Sequence, residues 1–165
     1  MTMIRKETAA DHAAIHGLTI AAFETSRFGY QGEAEIVEGL RTAEALTLSL
    51  VEDRDGAIAG HIAFSPVTVE GGACDWYGLA PVSVAPDHQG QGIGAGLIRE
   101  GLAQLKALGA QGCVLLGDPA YYGRFGFRND PRLTLAGVPP EYFQALPFTT
   151  EVSQGAVAFH AAFGG

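Results

Sequence analysis

The stretch PDHQGQGIGAGLIRE, residues 86–100, decides how the chain is interpreted, because it places four glycines within seven positions. Residues 82–84, Val-Ser-Val, have the composition of a β-strand, and Ile98, Leu102 and Leu105 have the i, i+4, i+7 spacing of an amphipathic helix. The glycines therefore lie where a strand passes into a helix. The first amide groups of a helix have no intrahelical acceptor and favour an anion, so we predict a phosphate site here.

The residues around the glycines restrict which phosphate this loop would bind. A nucleoside-triphosphate loop is excluded, because it requires G-x-x-x-x-G-K-[ST] and no lysine follows these glycines directly. Gly90, Gly92 and Ala95 match the G-x-G-x-x-A fingerprint of dinucleotide-binding folds, but residues 86–89 separate them from the strand and no acidic residue lies about 20 positions further on. A turn without a ligand is the structural alternative. Residues 86–98 contain no lysine or arginine, so backbone amides alone would hold the phosphate.

Composition and charge restrict the class of protein. We expect one domain over residues 1–165, since this length can bury a core and no linker or repeat interrupts the chain. The net charge of −8 argues against nucleic acid binding, which requires a clustered basic surface. No apolar run is long enough to cross a membrane, and Cys74 and Cys113 lack metal-ligand spacing, so we expect a cytoplasmic protein without a metal site.

Apolar periodicity and turn signals predict a mixed α/β sheet. Two helical segments lie early in the chain, Asp55-Gly56 predicts a β-hairpin, and a short buried strand follows the glycine-rich stretch. In the last third of the chain, residues 132–137 and 155–163 are predicted to be strands and residues 139–148 a short helix. This order of elements is typical of the α/β class.

Several segments carry a resemblance to a known family. Residues 89–94, Gln-Gly-Gln-Gly-Ile-Gly, resemble the Q/R-x-x-G-x-G/A signature of the GCN5-related N-acetyltransferase (GNAT) superfamily. The segment LGDPAYYGRFGF, residues 116–127, is similar to that family's Y-x-x-x-G-F segment, and GHIAFSPV (60–67) and GAVAFHAAF (155–163) look like the YhbS-type branch of predicted acetyltransferases. The resemblance covers most of the chain. It implies a GNAT-like fold, with a central, mostly antiparallel sheet that is splayed between the fourth and fifth strands and flanked by helices.

The same resemblance implies a site for acetyl-CoA as co-substrate. In the GNAT family the glycine loop holds the pyrophosphate of coenzyme A, and backbone groups of the preceding strand hold the pantetheine arm and the acetyl carbonyl. The matching positions in this sequence are Val82, Ser83, Val84, Gln89, Gly90, Gln91, Gly92, Ile93, Gly94 and Ala95.

Tyr122 is the catalytic residue that the resemblance implies, because it stands four residues before the glycine of the Y-x-x-x-G-F segment. Its hydroxyl would protonate or hydrogen-bond the thiolate that leaves when an amine attacks a thioester. A core aromatic residue is the structural alternative, and a shift of one residue would exchange Tyr122 with Tyr121. The general base is left open among Glu33, Glu35, His61 and a chain of water molecules.

The resemblance thus implies an acetyl-CoA-dependent N-acetyltransferase in which the amine attacks acetyl-CoA directly within a ternary complex. The acceptor amine could belong to a small molecule or to a protein, and a homodimer is compatible with the sequence. A non-catalytic acyl-CoA-binding or sensor module of the same fold is the alternative, because no general base is evident.

Overall fold

The computed structural model describes residues 1–164, and within them the chain forms eight strands and four α-helices. The strands are β1 Thr2–Lys6, β2 Leu48–Arg54, β3 Ala57–Val69, β4 Gly72–Val84, β5 Gly112–Leu116, β6 Leu133–Thr134, β7 Phe143–Pro147 and β8 Gly155–Ala158. The helices are α1 His12–Glu24, α2 Glu33–Thr42, α3 Ile93–Ala107 and α4 Pro119–Tyr122. None of the helices in the described part of the chain is both long and apolar enough to cross a bilayer.

The strands form a mixed sheet in the order β1-β2-β3-β4-β5-β7, with β8 beside β3 and β6 beside β8. The pairs β4–β5 and β6–β8 are parallel, whereas β1–β2, β2–β3, β3–β8 and β5–β7 are antiparallel. The predicted fold class, a mixed and mostly antiparallel sheet flanked by helices, is confirmed.

One compact unit consists of Met1–Phe64 and Ala80–Gly101. In this unit β2 pairs with β1 on one side and with β3 on the other. The chain turns from β2 into β3 at Asp55 and Gly56, which have φ angles of 53° and 94°. Two successive positive φ angles are typical of a tight hairpin turn, so the hairpin predicted at this dipeptide is confirmed.

The two faces of this unit's strands carry different helices, because side chains alternate across a strand. Ile15 of α1 and Val37 of α2 are buried in one cluster with Val51 of β2. On the other face, α3 approaches β3 so closely that a Cβ atom at Gly101 would lie 2.3 Å from the ring of Phe64. Glycine at this position therefore allows α3 to pack directly on the sheet.

The other compact unit consists of Ser65–Leu79 and the chain from Leu102 onward. Its core includes Trp76 and Val114, both without exposed surface. A Cβ atom at Gly112 of β5 would lie 2.4 Å from the Trp76 ring, so this glycine makes room for the indole beside the parallel β4–β5 pairing.

The prediction of a short helix at residues 139–148 is wrong. Only one turn of 3₁₀ helix forms there, at Pro140–Tyr142, and the chain then enters β7. This strand pairs with β5 along its whole length, and Phe143 and Ala145 alternate into the core. Long-range pairing with β5 overrides the local helical pattern, as is common for strands.

Candidate active site

The glycine-rich loop links β4 to α3 and has the backbone geometry of an anion site. One 3₁₀ turn at Pro86–His88 comes first. Gly90 and Gly92 then both adopt a φ of +81°, a backbone conformation that residues with a Cβ atom rarely adopt. The first hydrogen bond of the helical ladder runs from the Gly96 amide to the Gly92 carbonyl, at 3.0 Å. The amides of residues 92–95 therefore precede the ladder, at the positive end of the α3 dipole.

Two side-chain hydrogen bonds connect this loop to the ends of β4 and β2. The Gln89 amide donates to the Val84 carbonyl at 3.2 Å. The Arg54 guanidinium at the end of β2 donates to the Gln91 side-chain oxygen at 3.0 Å. Arg54 is a cation at the loop that sequence reasoning missed, since it lies 37 residues before Gln91 and reaches it only because β2, β3 and β4 are neighbours in the sheet.

The predicted pantetheine-binding residues Val82, Ser83 and Val84 form the end of β4. Within residues 1–164, β4 pairs with β5 only at Trp76–Gly78 against Gly112–Val114, so the predicted splay is seen as a parallel pairing that ends well before β4 does. The Val84 carbonyl is already an acceptor for Gln89, and the Ser83 hydroxyl is buried without a hydrogen-bond partner among the described residues.

Tyr122 ends the short helix α4, which begins directly after Asp118. The Asp118 carboxylate accepts a hydrogen bond from the Ala120 amide at 2.9 Å and so caps this helix. The Tyr122 ring packs on the backbone of Gly117, where a Cβ atom would lie 2.5 Å from the ring, and meets Phe127 edge to face with ring centroids 6.2 Å apart. These contacts fix the position of the ring.

Burial raises the pKa of Tyr122 to about 12, so its hydroxyl stays protonated at neutral pH and can donate a hydrogen bond. The neighbouring Tyr121 has a different environment, because its ring lies beneath the Arg124 guanidinium, 4.6 Å from the ring centroid. The two tyrosines meet edge to face at 4.9 Å.

His61, one of the candidate bases, belongs to a buried polar network. The Ser49 hydroxyl donates to the Glu7 carboxylate, and because a hydroxyl has one proton, it accepts from His61 Nε2 at 2.8 Å. Arg41 binds the same carboxylate through two nitrogens, at 2.9 and 3.0 Å. Burial lowers the pKa of His61 to about 4, so the ring is neutral at pH 7. The ring has no exposed surface, and its Nδ1 has no partner within residues 1–164.

Glu33 and Glu35 lie in the first turn of α2, where acidic residues favour the helix dipole. Glu33 accepts from the Gln31 amide at 2.8 Å, and Glu35 accepts from the Tyr30 hydroxyl at 2.6 Å. Both carboxylates thus have local structural partners, and the identity of the general base stays a prediction. In the part of the chain that the structure describes, no group of His, Cys, Asp or Glu is arranged to hold a metal ion.

Comparison with known proteins assigns this mixed sheet and its glycine loop to a family. Residues 46–129 match the acetyltransferase (GNAT) domain family. The chain is 42% identical over 126 residues to the uncharacterized N-acetyltransferase YhbS of Escherichia coli K12, covering 76% of this chain and 72% of the relative. It is 37% identical over 127 residues to the uncharacterized N-acetyltransferase YjhQ of the same strain, covering 74% and 69%.

Solved structures similar to this chain belong to the same family. A GNAT family acetyltransferase from Brucella melitensis, crystallised with acetyl-CoA, is 54% identical and superposes with a TM-score of 0.88 over 99% of this chain and 98% of that one. YhbS from Escherichia coli, crystallised with CoA, is 36% identical with a TM-score of 0.90 over 99% and 92%. The chain belongs to the GNAT family of acetyltransferases, and the resemblance seen in its sequence, including the YhbS-type branch, is confirmed.

Proposed function

We propose that this protein transfers the acetyl group of acetyl-CoA to an amine acceptor by direct attack within a ternary complex, and that residues 1–165 act as one N-acetyltransferase domain. The observation that carries this proposal is the geometry of the glycine loop. The loop has two positive φ angles, and its amides come before the first hydrogen bond of α3. Two relatives that share the fold over almost the whole chain were crystallised with acetyl-CoA and with CoA.

The donor is held mainly by backbone groups. The amides of residues 92–95 bind the pyrophosphate, and Gln89, Gly90 and Gln91 shape the loop that presents them. The strand residues Val82, Ser83 and Val84 hold the pantetheine arm through their main chain.

The amine nitrogen attacks the thioester carbonyl and forms a tetrahedral intermediate, whose collapse breaks the C–S bond and releases coenzyme A as a thiolate. The proton that the nitrogen still has to lose to become an amide passes to this thiolate or to water. The Tyr122 hydroxyl donates a hydrogen bond to this sulfur as negative charge develops. Its raised pKa favours hydrogen bonding over full transfer of the tyrosine proton. The proton of the attacking ammonium leaves to a base or to water before attack, because a protonated amine has no free electron pair.

Calorimetry with acetyl-CoA and with NAD tests the donor site. We expect the protein to bind acetyl-CoA and not NAD. Gly92→Ala should weaken the binding of acetyl-CoA, because an alanine rarely adopts the φ of +81° that Gly92 has. Gly29→Ala is the matched control, since Gly29 has a φ of +72°, open space around it and no place in the loop. Binding of NAD alone would contradict the proposed donor.

A panel of amines, assayed by release of the CoA thiol, tests the transfer step and identifies the acceptor. Tyr122→Phe should lower kcat by about a hundredfold, the usual effect of losing one donor to a developing anion. Tyr121→Phe removes the neighbouring hydroxyl and should leave kcat near the wild-type value. Equal kcat values for Tyr122→Phe and the wild type would refute the role of Tyr122, and an effect confined to Tyr121→Phe would assign that role to Tyr121.

A further inference from the structure

The glycine-rich loop has no cation of its own, although its proposed ligand carries several negative charges. Residues 86–98 contain neither lysine nor arginine, and the whole chain has a net charge of −8. A polyanion that approaches such a protein is repelled unless a local positive charge compensates. The fold supplies one at this loop, because Arg54 ends β2 and reaches Gln91.

The Arg54 guanidinium is oriented by two hydrogen bonds. Its Nε donates to the Glu52 carboxylate at 2.8 Å, and its Nη1 donates to the Gln91 side-chain oxygen at 3.0 Å. Glu52 is buried, whereas about a third of the Arg54 side chain, 32%, is exposed. No other partner binds this guanidinium within residues 1–164, so Nη2 and one N–H of Nη1 remain available to a ligand.

We propose that Arg54 binds the pyrophosphate of the acyl donor and determines the affinity for that donor. The inference rests on the proposed function. The pyrophosphate is chosen over the ribose 3′-phosphate because Gln91, which Arg54 contacts, stands between Gly90 and Gly92, whose positive φ angles form the anion loop. The planar fork of an arginine suits two phosphate oxygens at once, and Glu52 holds the fork through Nε, so that Nη2 and the second N–H of Nη1 remain for the ligand.

Calorimetry with acetyl-CoA and with its 3′-dephospho analogue tests the proposal. Arg54→Met should weaken the binding of both ligands roughly tenfold, because a charge-assisted hydrogen bond at a partly exposed site is lost. Arg54→Lys should recover part of this affinity, since it keeps the charge without the fork. In turnover, KM for acetyl-CoA should rise while kcat stays unchanged. The difference between wild type and Arg54→Met should shrink at high salt, which screens an exposed charge.

Arg132→Met is the matched control. Arg132 pairs with Asp130 two residues away, as Arg54 pairs with Glu52, and it belongs to the other compact unit. Wild-type affinity in Arg132→Met supports a local contact at Arg54. Equal weakening by both variants would indicate a general loss of positive charge and would overturn the proposal.

Three other results of the binding measurements would overturn the proposal or part of it. Unchanged affinity in Arg54→Met overturns the proposal while the proposed function stands, provided that the wild type binds acetyl-CoA. A loss seen with acetyl-CoA but not with the dephospho analogue overturns the assignment to the pyrophosphate. A wild type that binds neither ligand overturns both the proposed function and this inference.

Discussion

Acid should destabilise this protein through His61, which is fully buried and neutral. An exposed histidine has a pKa of about 6.5, and burial lowers that of His61 to about 4. Between these two values the unfolded chain binds a proton that the folded protein does not, so the stabilisation is complete above the unfolded pKa and is lost as pH falls. Of the charged groups that act on the ring, Glu7 favours its protonation and Arg41 opposes it. The linkage relation then gives a loss of about 2 kcal/mol between roughly pH 8 and pH 5.

Urea denaturation at these two pH values measures the effect as a change in the free energy of unfolding. His61→Gln keeps a donor for the Ser49 hydroxyl but cannot titrate, so its unfolding free energy should fall by about 2 kcal/mol less than that of the wild type. Burial raises the pKa of the Glu7 carboxyl, but hydrogen bonds from Arg41 and Ser49 outweigh this effect and lower it overall. Glu7 is present in both proteins, so its own titration contributes to both. His88→Gln, at a partly exposed histidine, is the control. If His61→Gln loses as much stability as the wild type, the reasoning is refuted.

Two other expectations concern packing and thiol reactivity. Gly101→Ala should destabilise the fold by about 1–3 kcal/mol, because the new Cβ would lie 2.3 Å from the Phe64 ring, whereas Gly17→Ala in α1, with open space around it, should stabilise by about 0.5–1 kcal/mol. Urea melts of both variants check this, and a stabilised Gly101→Ala would contradict it. Cys113 is fully buried and its pKa is raised well above the usual range, so Ellman's reagent should detect at most the half-buried Cys74 in the native protein. Reaction of both thiols before unfolding would contradict this.

The features that depend only on residues close together in the sequence could be predicted from it. The position of the glycine loop between a strand and α3 follows from local composition, and the buried face of α3 at Ile98, Leu102 and Leu105 follows from helical spacing. The same reasoning gave the hairpin turn. For the loop residues, this local geometry agrees with the roles implied by the family resemblance, and those roles stay proposals until binding is measured.

The features that depend on strand register could not be predicted. Ser49 meets His61 because β2 and β3 pair in one particular register. Arg54 meets Gln91 because that register combines with the position of β4 beside β3. A shift of one residue would turn these side chains to opposite faces of the sheet, and apolar alternation alone does not specify the register. The absence of lysine and arginine from residues 86–98 therefore predicts a phosphate held by backbone amides alone, whereas the fold brings Arg54 to the loop. The helix predicted for residues 139–148 is wrong for a similar reason, because β7 pairs with β5, which lies far away in the sequence.

The contact between Gly117 and Tyr122 offers a way to vary the position of the proposed hydrogen-bond donor while keeping its chemistry. An alanine at position 117 would add one methyl group at 2.5 Å from the Tyr122 ring, so the ring has to move, although every hydroxyl, charge and amide of the site is retained. Removal of the hydroxyl and displacement of the ring are thus separable in this protein. Side chains of graded size at position 117 would act as spacers, and they would report how strictly the transfer step depends on where the tyrosine lies.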